Sequence, residues 1–428
     1  MEWPRVPLER LLHAAGSGTW GADPDGSKPT YPVLRSTNIH DGKLVLDNPA
    51  IRSVTEKTAR KYELRQGDIL VTTSSGSQQL LGKNALVEDL PETYLFSNFT
   101  WRLRTNPARV VPKFLFYYLN SAPARAELAR IQSTTSGLRN LNTQLYLGQA
   151  VPLPPLSEQR RIVEILDQAD RLRRLRAAAD AKADRILPAL FIRMFGDPLR
   201  LLSHPLARPL SELYVDLQNG FACGEKDVPE GIPHLRMNNI SDSGRLDLAV
   251  LRTVPTETDS ERYRLKNGDV LFMSTNSEDK IGKTCVFRPP DARTYLFSNH
   301  LIRVRCGSSK LVPEYLATFL HLLWRAGFYP SIAKRWVNQA TVSRDALGAV
   351  RVPALEEDRQ QRFARAQQDL ERRAVVARAS ADRISQLFAE LLQEAFCGSL
   401  TASWREAHMK ELLREMEQQA KALEATKA

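Results

Sequence analysis

The sequence predicts an α+β fold in which two similar globular domains alternate with two long helices. Three observations predict it: a duplicated set of motifs, a strand-and-turn pattern inside each copy, and a long charged stretch after each copy. The chain has 428 residues, more than one ordinary core organises. It has no run of about 18 uncharged apolar residues and no apolar leader after Met1. We therefore expect no membrane helix, no signal peptide and a cytoplasmic protein.

The duplication is visible in short motifs that recur about 201 residues apart. The pentapeptide Tyr-Leu-Phe-Ser-Asn stands at both 94–98 and 295–299. Further matches share this offset or lie within one residue of it: 62–68 with 263–269, 35–39 with 236–240, and Gly82-Lys83 with Gly282-Lys283. A tandem duplication explains these matches together, and its period is too long for a solenoid repeat.

Each copy begins with strands and turns and continues into a helix. The turn dipeptides Gly67-Asp68 and Gly268-Asp269 precede the apolar runs 69–72 and 270–273, which predict buried strands. A second short strand follows at 85–87 and 285–287. Prolines at the first helical position then predict helices over 112–119 and 313–323.

The first connector follows a Pro-rich entry and is predicted as one long helix from Ser157, a candidate N-cap, to about Phe195. Pro188 should kink or shorten its last turns. The second connector is predicted as a helix from about Glu356 to Phe396, ended by Gly398. Apolar residues at 3–4 spacing form a seam on each, and the positions that we expect to carry it are Ile162, Leu172, Ile186, Leu370, Ile384 and Leu391.

A single apolar seam on a long helix needs a partner surface. We expect the two connectors to bury each other as an antiparallel coiled-coil pair, with packing of each on its own globule as the alternative. The predicted organisation is a first domain at 1–155, a first helix at 156–197, a second domain at 198–354, a second helix at 355–398, and a helical tail at 399–428. The tail is either a partner contact or a solvated end.

The net charge is +11, which favours a polyanionic partner, although an arginine-rich proteome gives basic proteins generally. No catalytic motif is complete. The sequence near Gly82-Lys83 and Gly282-Lys283 fails the P-loop pattern in two different ways. Neither a methyltransferase loop nor a duplicated Ser/His/Asp set is present, and the histidines and cysteines lack metal-site spacing. We therefore expect a binding protein without catalytic residues, metal or cofactor.

Polar and basic residues in matched turns are the candidate DNA contacts. Arg, Asn and Gln can make bidentate contacts to guanine and adenine edges, while Ser, Thr and Lys suit phosphate oxygens. Individually, each is more simply a solvated or turn-stabilising residue, but the two copies combine a shared framework with different loops, as two modules reading different sequences require. The candidates are Arg35, Asn38, Ser75, Lys83, Arg139, Asn140, Arg236, Asn239, Asn276, Lys283, Arg335 and Asn338.

These features resemble the specificity subunit of Type I restriction–modification systems over nearly the whole chain. The resemblance is carried by the duplicated Tyr-x-Leu-x-x-Gly-Asp-[Ile/Val]-Leu segments, by Pro-Pro-Leu-Ser-Glu-Gln-Arg-Arg-Ile at 154–162, and by the end of the second helix at 395–405. The second copy departs from this pattern at 353–359, where Pro-Ala-Leu-Glu-Glu-Asp-Arg replaces the Pro-Pro-Leu-x-Glu-Gln run. The two helix starts therefore need not have equal roles.

The resemblance implies two target recognition domains that each read half of an asymmetric, bipartite site in double-stranded DNA. It also implies helices that space the domains and bind two methyltransferase subunits, which ATP-dependent restriction subunits then join. S-adenosylmethionine and ATP would belong to those partners. A related fused nuclease–methyltransferase system would use a similar subunit, and a non-DNA coiled-coil scaffold is the alternative from a different class.

Overall fold

The computed structural model describes residues 3–75, 80–135, 138–213, 215–224, 227–256, 260–307, 310–337 and 339–424. Contacts divide the chain into two compact units. Unit 1 comprises Met1–Leu175 and Asp382–Ala428, and unit 2 comprises Arg176–Ala381. The two parts of each long connector therefore belong to different units. The five-segment division stays a prediction about the order of elements along the chain.

Short strands dominate both units. The strands of unit 1 are β1 Arg5–Pro7, β2 Leu12–Ser17, β3 Thr30–Leu34, β4 Ile39–His40, β5 Lys43–Leu44, β6 Ala50–Ser53, β7 Ile69–Thr72, β8 Ser74–Ser75, β9 Asn84–Leu86, β10 Leu95–Phe96, β11 Thr100–Thr105, β12 Gln132–Thr135, β13 Leu138–Leu141 and β14 Ala150–Pro152. Those of unit 2 are β15 Ala207–Pro209, β16 Val215–Asn219, β17 Ile232–Leu235, β18 Arg252–Val254, β19 Val270–Met273, β20 Thr275–Asn276, β21 Thr284–Val286, β22 Leu296–Phe297, β23 Leu301–Cys306, β24 Lys334–Arg335, β25 Ala340–Thr341 and β26 Arg351–Pro353.

The helices include the two long connectors and a C-terminal pair. In chain order they are α1 Glu56–Tyr62, α2 Pro112–Leu119, α3 Ala122–Arg130, α4 Thr143–Gly148, α5 Leu156–Ala183, α6 Ile186–Phe195, α7 Pro198–Leu201, α8 Ser260–Tyr263, α9 Pro313–Arg325, α10 Arg344–Gly348, α11 Glu357–Cys397, α12 Ala402–Ala407 and α13 Met409–Glu424.

The two units share one sheet topology. The main sheet has the order β2-β11-β7-β9 in unit 1 and β16-β23-β19-β21 in unit 2. Its register is also the same, since Ile69 pairs with Leu103 and Val270 pairs with Val304. Two smaller sheets match as well, with orders β10-β3-β6 and β22-β17-β18, and β12-β13-β8 and β24-β25-β20. The predicted duplicated α+β fold is confirmed.

The central strands are buried on both faces because each main sheet lies between two cores. In unit 2, Val270 and Phe272 pack toward Tyr315 and Phe319 of α9, while Leu271 enters a second core. Unit 1 repeats this, with Ile69 and Val71 in one cluster and Leu70 in another. This explains why the strands read as continuous apolar runs without alternation.

The duplicated Gly-Asp motif is a structural turn. Asp68 is buried, accepts a hydrogen bond from the Arg65 N–H at 2.8 Å and receives both Nε and Nη2 of Arg104 at 2.7 Å. Asp269 makes the same contacts with the Lys266 N–H and Arg305, each at 2.7 Å. The preceding glycines have φ of +88° and +90°, a conformation that disfavours other residues. The motif therefore fixes the turn to the strand across the sheet.

The first connector is interrupted. Helix α5 ends at Ala183 and α6 begins at Ile186, so the predicted long helix to Phe195 is in two parts, with the break close to Pro188, where the sequence predicts a kink or a shortening. Pro188 has no N–H to donate to the carbonyl of residue 184, one turn earlier, which explains a break at this place. Ser157 is also not the N-cap, because α5 begins at Leu156.

Within each unit, the start of one connector lies with the end of the other, as the predicted antiparallel pairing requires. In unit 1, Ile162 of α5 and Leu391 of α11 belong to one core, and in unit 2, Phe191 of α6 packs on Phe363 of α11 at 5.5 Å between ring centroids. Leu370 and Ile384 are partly buried. Leu172 and Ile186 are 55% and 48% exposed, however, so the seam expected there is not buried in this chain.

A buried glutamine fixes the start of each long connector helix, α5 or α11, to the globule that precedes it. In unit 1, the Gln159 Oε1 accepts the Val111 N–H at 2.8 Å, and its Nε2 donates to the carbonyls of Pro154 and Arg109 at 2.8 and 3.2 Å. In unit 2, Gln360 makes the same three bonds to Val312, Leu355 and Lys310 at 2.9, 2.8 and 3.1 Å. We call these residues the glutamine anchors.

The residue before each glutamine anchor differs. Glu158 is fully buried and accepts hydrogen bonds from Thr401 and Arg405 at 2.7 Å and from Trp3 at 3.1 Å, so it ties the segment after α11 to unit 1. Its counterpart Arg359 lies over the Phe195 ring at 5.6 Å. The two helix starts thus share an anchor and differ in their second contact.

The tail helix α13 packs on unit 1. Its Glu415 accepts hydrogen bonds from the Ser157 N–H and hydroxyl at 3.1 and 2.9 Å. Arg10 and Arg109 donate to the carbonyls of Leu423 and Ala422 near its C-terminus, where cations are favourable. The tail is therefore not a solvated end, and a partner contact on its exposed face stays a prediction.

Replacing a glutamine anchor should destabilise its unit strongly. Gln360→Met keeps the side-chain size but leaves one buried N–H and two carbonyls without partners, so we expect a loss of about 3 kcal/mol in the free energy of unfolding. Urea unfolding of the full chain measures it. The neighbouring exposed Gln361→Met is the matched control and should change stability by less than about 0.5 kcal/mol. Equal stability of the two variants would contradict the anchor role.

Candidate nucleic-acid interface

The hairpin β24–β25 carries exposed basic residues in unit 2. Arg335 pairs with Ala340 across the hairpin, and Ala340 pairs in turn with Asn276 of β20. The Trp336 N–H donates to the Gln339 carbonyl at 2.7 Å and closes the turn. Lys334 and Arg335 are exposed, and the Arg335 Nε lies 2.9 Å from Glu278. The hairpin therefore presents basic side chains from a strand that is anchored in the sheet.

A polar cleft lies beside β20 in the same unit. It is formed by the turn after β17, the loop 241–247 and the segment 273–283, and it is lined by Asp184, Met237, Asn238, Ile240, Ser241, Asp242, Ser243, Asp247, Met273, Asn276, Lys280 and Lys283. Two lysines and two asparagines on one concave surface can contact both phosphates and base edges. The structure thus brings the predicted residues Asn276 and Lys283 together.

Inside this cleft, the two predicted residues are partly committed to protein contacts. Asn276 donates to the sulfurs of Met237 and Met273 at 3.2 and 3.3 Å and accepts the Ser277 N–H at 2.8 Å. Lys283 is buried, pairs with Asp242 and lies 5.2 Å from the Trp324 ring centroid. Lys280, which the sequence did not single out as a DNA contact, is the exposed lysine of the cleft.

The counterpart surface in unit 1 is built from β8, β12 and β13. Ser75 pairs with Arg139 and Ser74 with Asn140 along the backbone, and the Ser74 hydroxyl donates to the Asn140 Oδ1 at 2.7 Å. Ser75, Asn140 and Lys83 are partly buried. The Arg139 side chain and the whole of Asn338 lie outside the described residues. The backbone thus places residues 74–75 beside residues 139–140.

The predicted asparagines of the turn after β3 and β17 belong to the framework. Asn38 is buried, accepts the Arg35 N–H at 3.0 Å and donates to the carbonyls of Val45 and Asp47 at 3.0 and 3.4 Å. Asn239 is buried too, with its bonds to Arg236, Asp247 and Val250 at 2.7 to 3.0 Å. Their amides are used by the backbone, so we leave both out of the interface.

Arg35 and Arg236 stand at the first position of these turns and are only partly exposed. The Nη2 of Arg35 donates to the Asn48 carbonyl at 3.2 Å. The Nε atoms of both arginines are buried without a hydrogen-bond partner within the described residues. The sequence identified the matched turns correctly, but it did not separate the residue that caps a turn from the one whose side chain leaves it.

Sequence reasoning missed the apolar end of the hairpin. Trp336 is 71% exposed and Val337 is 97% exposed, yet neither was a candidate contact. The signal was present, because both residues lie between Arg335 and Asn338 in the loop that differs from its counterpart in the first copy. In the described part of the chain, no group of three His, Cys, Asp or Glu side chains could hold a metal ion. No described helix is long and apolar enough to cross a membrane.

Comparison with known proteins gives one consistent family. Residues 2–181 match the model of the Type I restriction modification DNA specificity domain. The chain is 26% identical to the Type I restriction enzyme StySPI specificity subunit of Salmonella potsdam over 406 residues, and 26% identical to the EcoKI specificity subunit of Escherichia coli K12 over 404. Both alignments cover 87% of this chain and 83% of the relative.

Similarity to solved structures supports the fold. A chain from a structure concerned with complex assembly and conformational transition of the type I R-M system matches with a TM-score of 0.53 and 21% identity. The match covers 93% of this chain and 98% of that one. At this identity, the likeness shows the shared architecture of tandem domains and long helices.

A buried histidine that contacts the cleft residue Asp242 should make unit 2 acid-sensitive. Burial, together with the charges of Arg325 and Lys283, lowers the pKa of His321 to about 4, against the opposing effect of the hydrogen bond to the Asp242 carbonyl. The unfolded state takes up the proton near pH 6.5. Protonation therefore favours unfolding, and stability should fall as the pH drops from about 6.5 to about 4.

Thermal unfolding of the full chain at several pH values measures this effect. The variant His321→Gln should lose part of the decrease in Tm over that range. The exposed His40→Gln is the control for loss of a surface imidazole. A pH dependence that is identical in the wild type and in His321→Gln would contradict the assignment.

Proposed function

We propose that this chain, which is similar to Type I restriction–modification DNA specificity subunits, recognises an asymmetric bipartite DNA site with one half-site for each unit. The observation that carries the proposal is that the two units share one framework but differ in the β12–β13 and β24–β25 segments. Both units have the same sheets, turn aspartates and glutamine anchors, yet β24–β25 carries exposed Lys334, Arg335 and Trp336 where the sequence of the β12–β13 segment has no aromatic residue. A shared framework with different segments at this position is what two domains that recognise different DNA sequences require.

The chemistry of the two surfaces supports a division of roles. In unit 2, Lys280, Lys334 and Arg335 are exposed cations that can neutralise phosphates, and the cleft residues Asn238 and Asn276 can reach base edges. In unit 1, Ser75 corresponds to Asn276, Lys83 corresponds to Lys283, and Asn140 lies on β13, the strand that corresponds to β25. Phosphate contacts position the protein, and base-edge contacts supply the sequence preference.

The connectors supply the surface for partner subunits. Apolar side chains that a folded chain normally buries remain exposed on the connector helices: Leu172, Leu175, Ile186, Ile192, Val375, Val376 and Leu387. Exposed apolar residues on a charged helix are typical of a protein contact. We assign this surface to two methyltransferase subunits, which ATP-dependent restriction subunits join. The chain itself contributes specificity, and catalysis with S-adenosylmethionine and ATP belongs to those partners.

Methylome sequencing tests the proposal directly. Cells that express this chain with its methyltransferase subunit should gain one bipartite methylated motif with a fixed gap, compared with cells that lack the chain. Absence of a new motif, when the complex co-purifies and the methyltransferase subunit is active with another specificity subunit, would contradict the proposal.

Single substitutions should change one half of the motif at a time. Asn140→Ala should relax the preference in the first half-site only, and Arg335→Ala in the second only, with a cost of about 1–3 kcal/mol for a lost bidentate base contact. The exposed connector residue Arg372→Ala is the matched control and should leave the motif unchanged. A variant that relaxes both halves equally would contradict the assignment of one half-site to each unit.

Binding should also depend strongly on salt, because phosphate contacts release counterions. Fluorescence anisotropy with a duplex that carries the motif should show log K falling linearly with log salt concentration. The variant Lys334→Ala should reduce that slope by about 1. An unchanged slope would place Lys334 outside the phosphate contacts.

A further inference from the structure

The end of the β24–β25 hairpin is apolar, although it is one of the most exposed places in the described chain. Trp336 is 71% exposed and Val337 is 97% exposed. Full burial of a Trp side chain removes about 150–250 Å² from water, so an exposed indole leaves a large favourable contact unmade. Isolated exposed apolar residues are ordinary, but two adjacent ones at a turn call for a physical reason.

The hairpin holds this pair in a fixed position. Ala340 and Val342, just after the turn, are fully buried in the core of unit 2. The Val342 N–H donates to the Ser274 carbonyl at 2.9 Å, and β25 pairs with both β20 and β24. The backbone N–H of Trp336 donates a hydrogen bond to the Gln339 carbonyl within the turn. The indole therefore projects from an element whose base is anchored in the core.

The charges around the pair favour a polyanion. Lys334 and Arg335 precede it on β24, and both are exposed. Glu278 is the acidic partner of Arg335, and Lys280 follows it in the adjoining cleft. If the hairpin bound a protein through Trp336 and Val337, we would expect apolar residues around them. DNA offers the combination found here, because its stacked bases are apolar and its phosphates on either side are charged.

Unit 1 has no equivalent in its sequence. Between Gln132 and Leu141 the residues are Ser, Thr, Gly, Leu, Arg and Asn, with no aromatic side chain. The exposed apolar pair is therefore specific to unit 2, and the framework that the two units share does not need it.

We propose that Trp336 is a wedge that stacks on a base step opened in the second half-site, with Val337 against the same step and Lys334 on an adjacent phosphate. Apolar side chains inserted between base pairs unstack and kink the duplex, and stacking of a base on an aromatic ring is worth enough to affect affinity. The inference rests on the proposed function, and it predicts that the DNA distortion that depends on Trp336 is confined to the second half of the site.

The test uses the full chain with its methyltransferase subunit and a duplex of about 40 base pairs that carries the motif found by methylome sequencing. One duplex has 2-aminopurine in the second half-site and another has it in the first. With the wild type, we expect 2-aminopurine fluorescence to rise on binding in the second half-site through unstacking by this hairpin. Trp336→Ala should lose that rise and raise the Kd about tenfold, the order expected for one stacked base.

Two further variants make the result specific. Trp336→Phe keeps an aromatic face and should retain the fluorescence rise with a Kd within about threefold of the wild type. The uncharged substitutions should leave the salt dependence of binding unchanged. Leu206→Ala, an exposed apolar residue of the same unit outside the hairpin, is the matched control and should behave as the wild type.

The outcomes separate the wedge from the proposed function. If the wild type does not prefer the motif over a scrambled duplex, the proposed function fails. If the wild type prefers the motif and Trp336→Ala matches it in Kd and fluorescence, only the wedge is overturned. Weaker binding of the methyltransferase subunit by Trp336→Ala in the absence of DNA would also overturn it, because the indole would then contact protein.

Discussion

The long connectors can position a recognition surface only if each is fixed to its globule, and the glutamine anchors do this. Gln159 and Gln360 each satisfy one backbone N–H and two carbonyls at the place where the Pro-containing strand ends and the helix begins. Buried backbone groups need partners, so the helix start cannot move relative to the globule without losing all three bonds. Each long helix therefore begins at a fixed place on its globule.

Outside the glutamine anchors, some parts of the two units are the same and others differ. The turn aspartates, the buried strands and the capped Asn38 and Asn239 turns are the same in both units, because they satisfy buried polar groups and fill the cores. The sequence varies between the β12–β13 and β24–β25 segments. The exposed residues proposed for recognition, such as Lys334 and Arg335, can thus change without a change in the fold, since they fill no core.

Much of the fold was predictable because it depends on local patterns. Continuous apolar runs predicted 69–72 and 270–273 as strands, and N-terminal prolines predicted the starts of α2 and α9. The site was less predictable, because a polar residue in a turn has the same sequence signal whether it caps the backbone, like Asn239, or faces solvent. The break in the first connector was only partly foreseen. Contacts between distant segments, such as Glu158 with Arg405, leave no local pattern.

Each unit is proposed to recognise its own half-site independently on a common framework. Exchange of one unit tests this most directly. Residues 207–353 would be replaced by residues 5–152, which begin and end on the equivalent paired strands. Methylome sequencing would follow, once co-purification with the methyltransferase subunit is established. The account predicts a motif whose two halves have the same sequence, that of the original first half-site. A motif that keeps two different halves would contradict it.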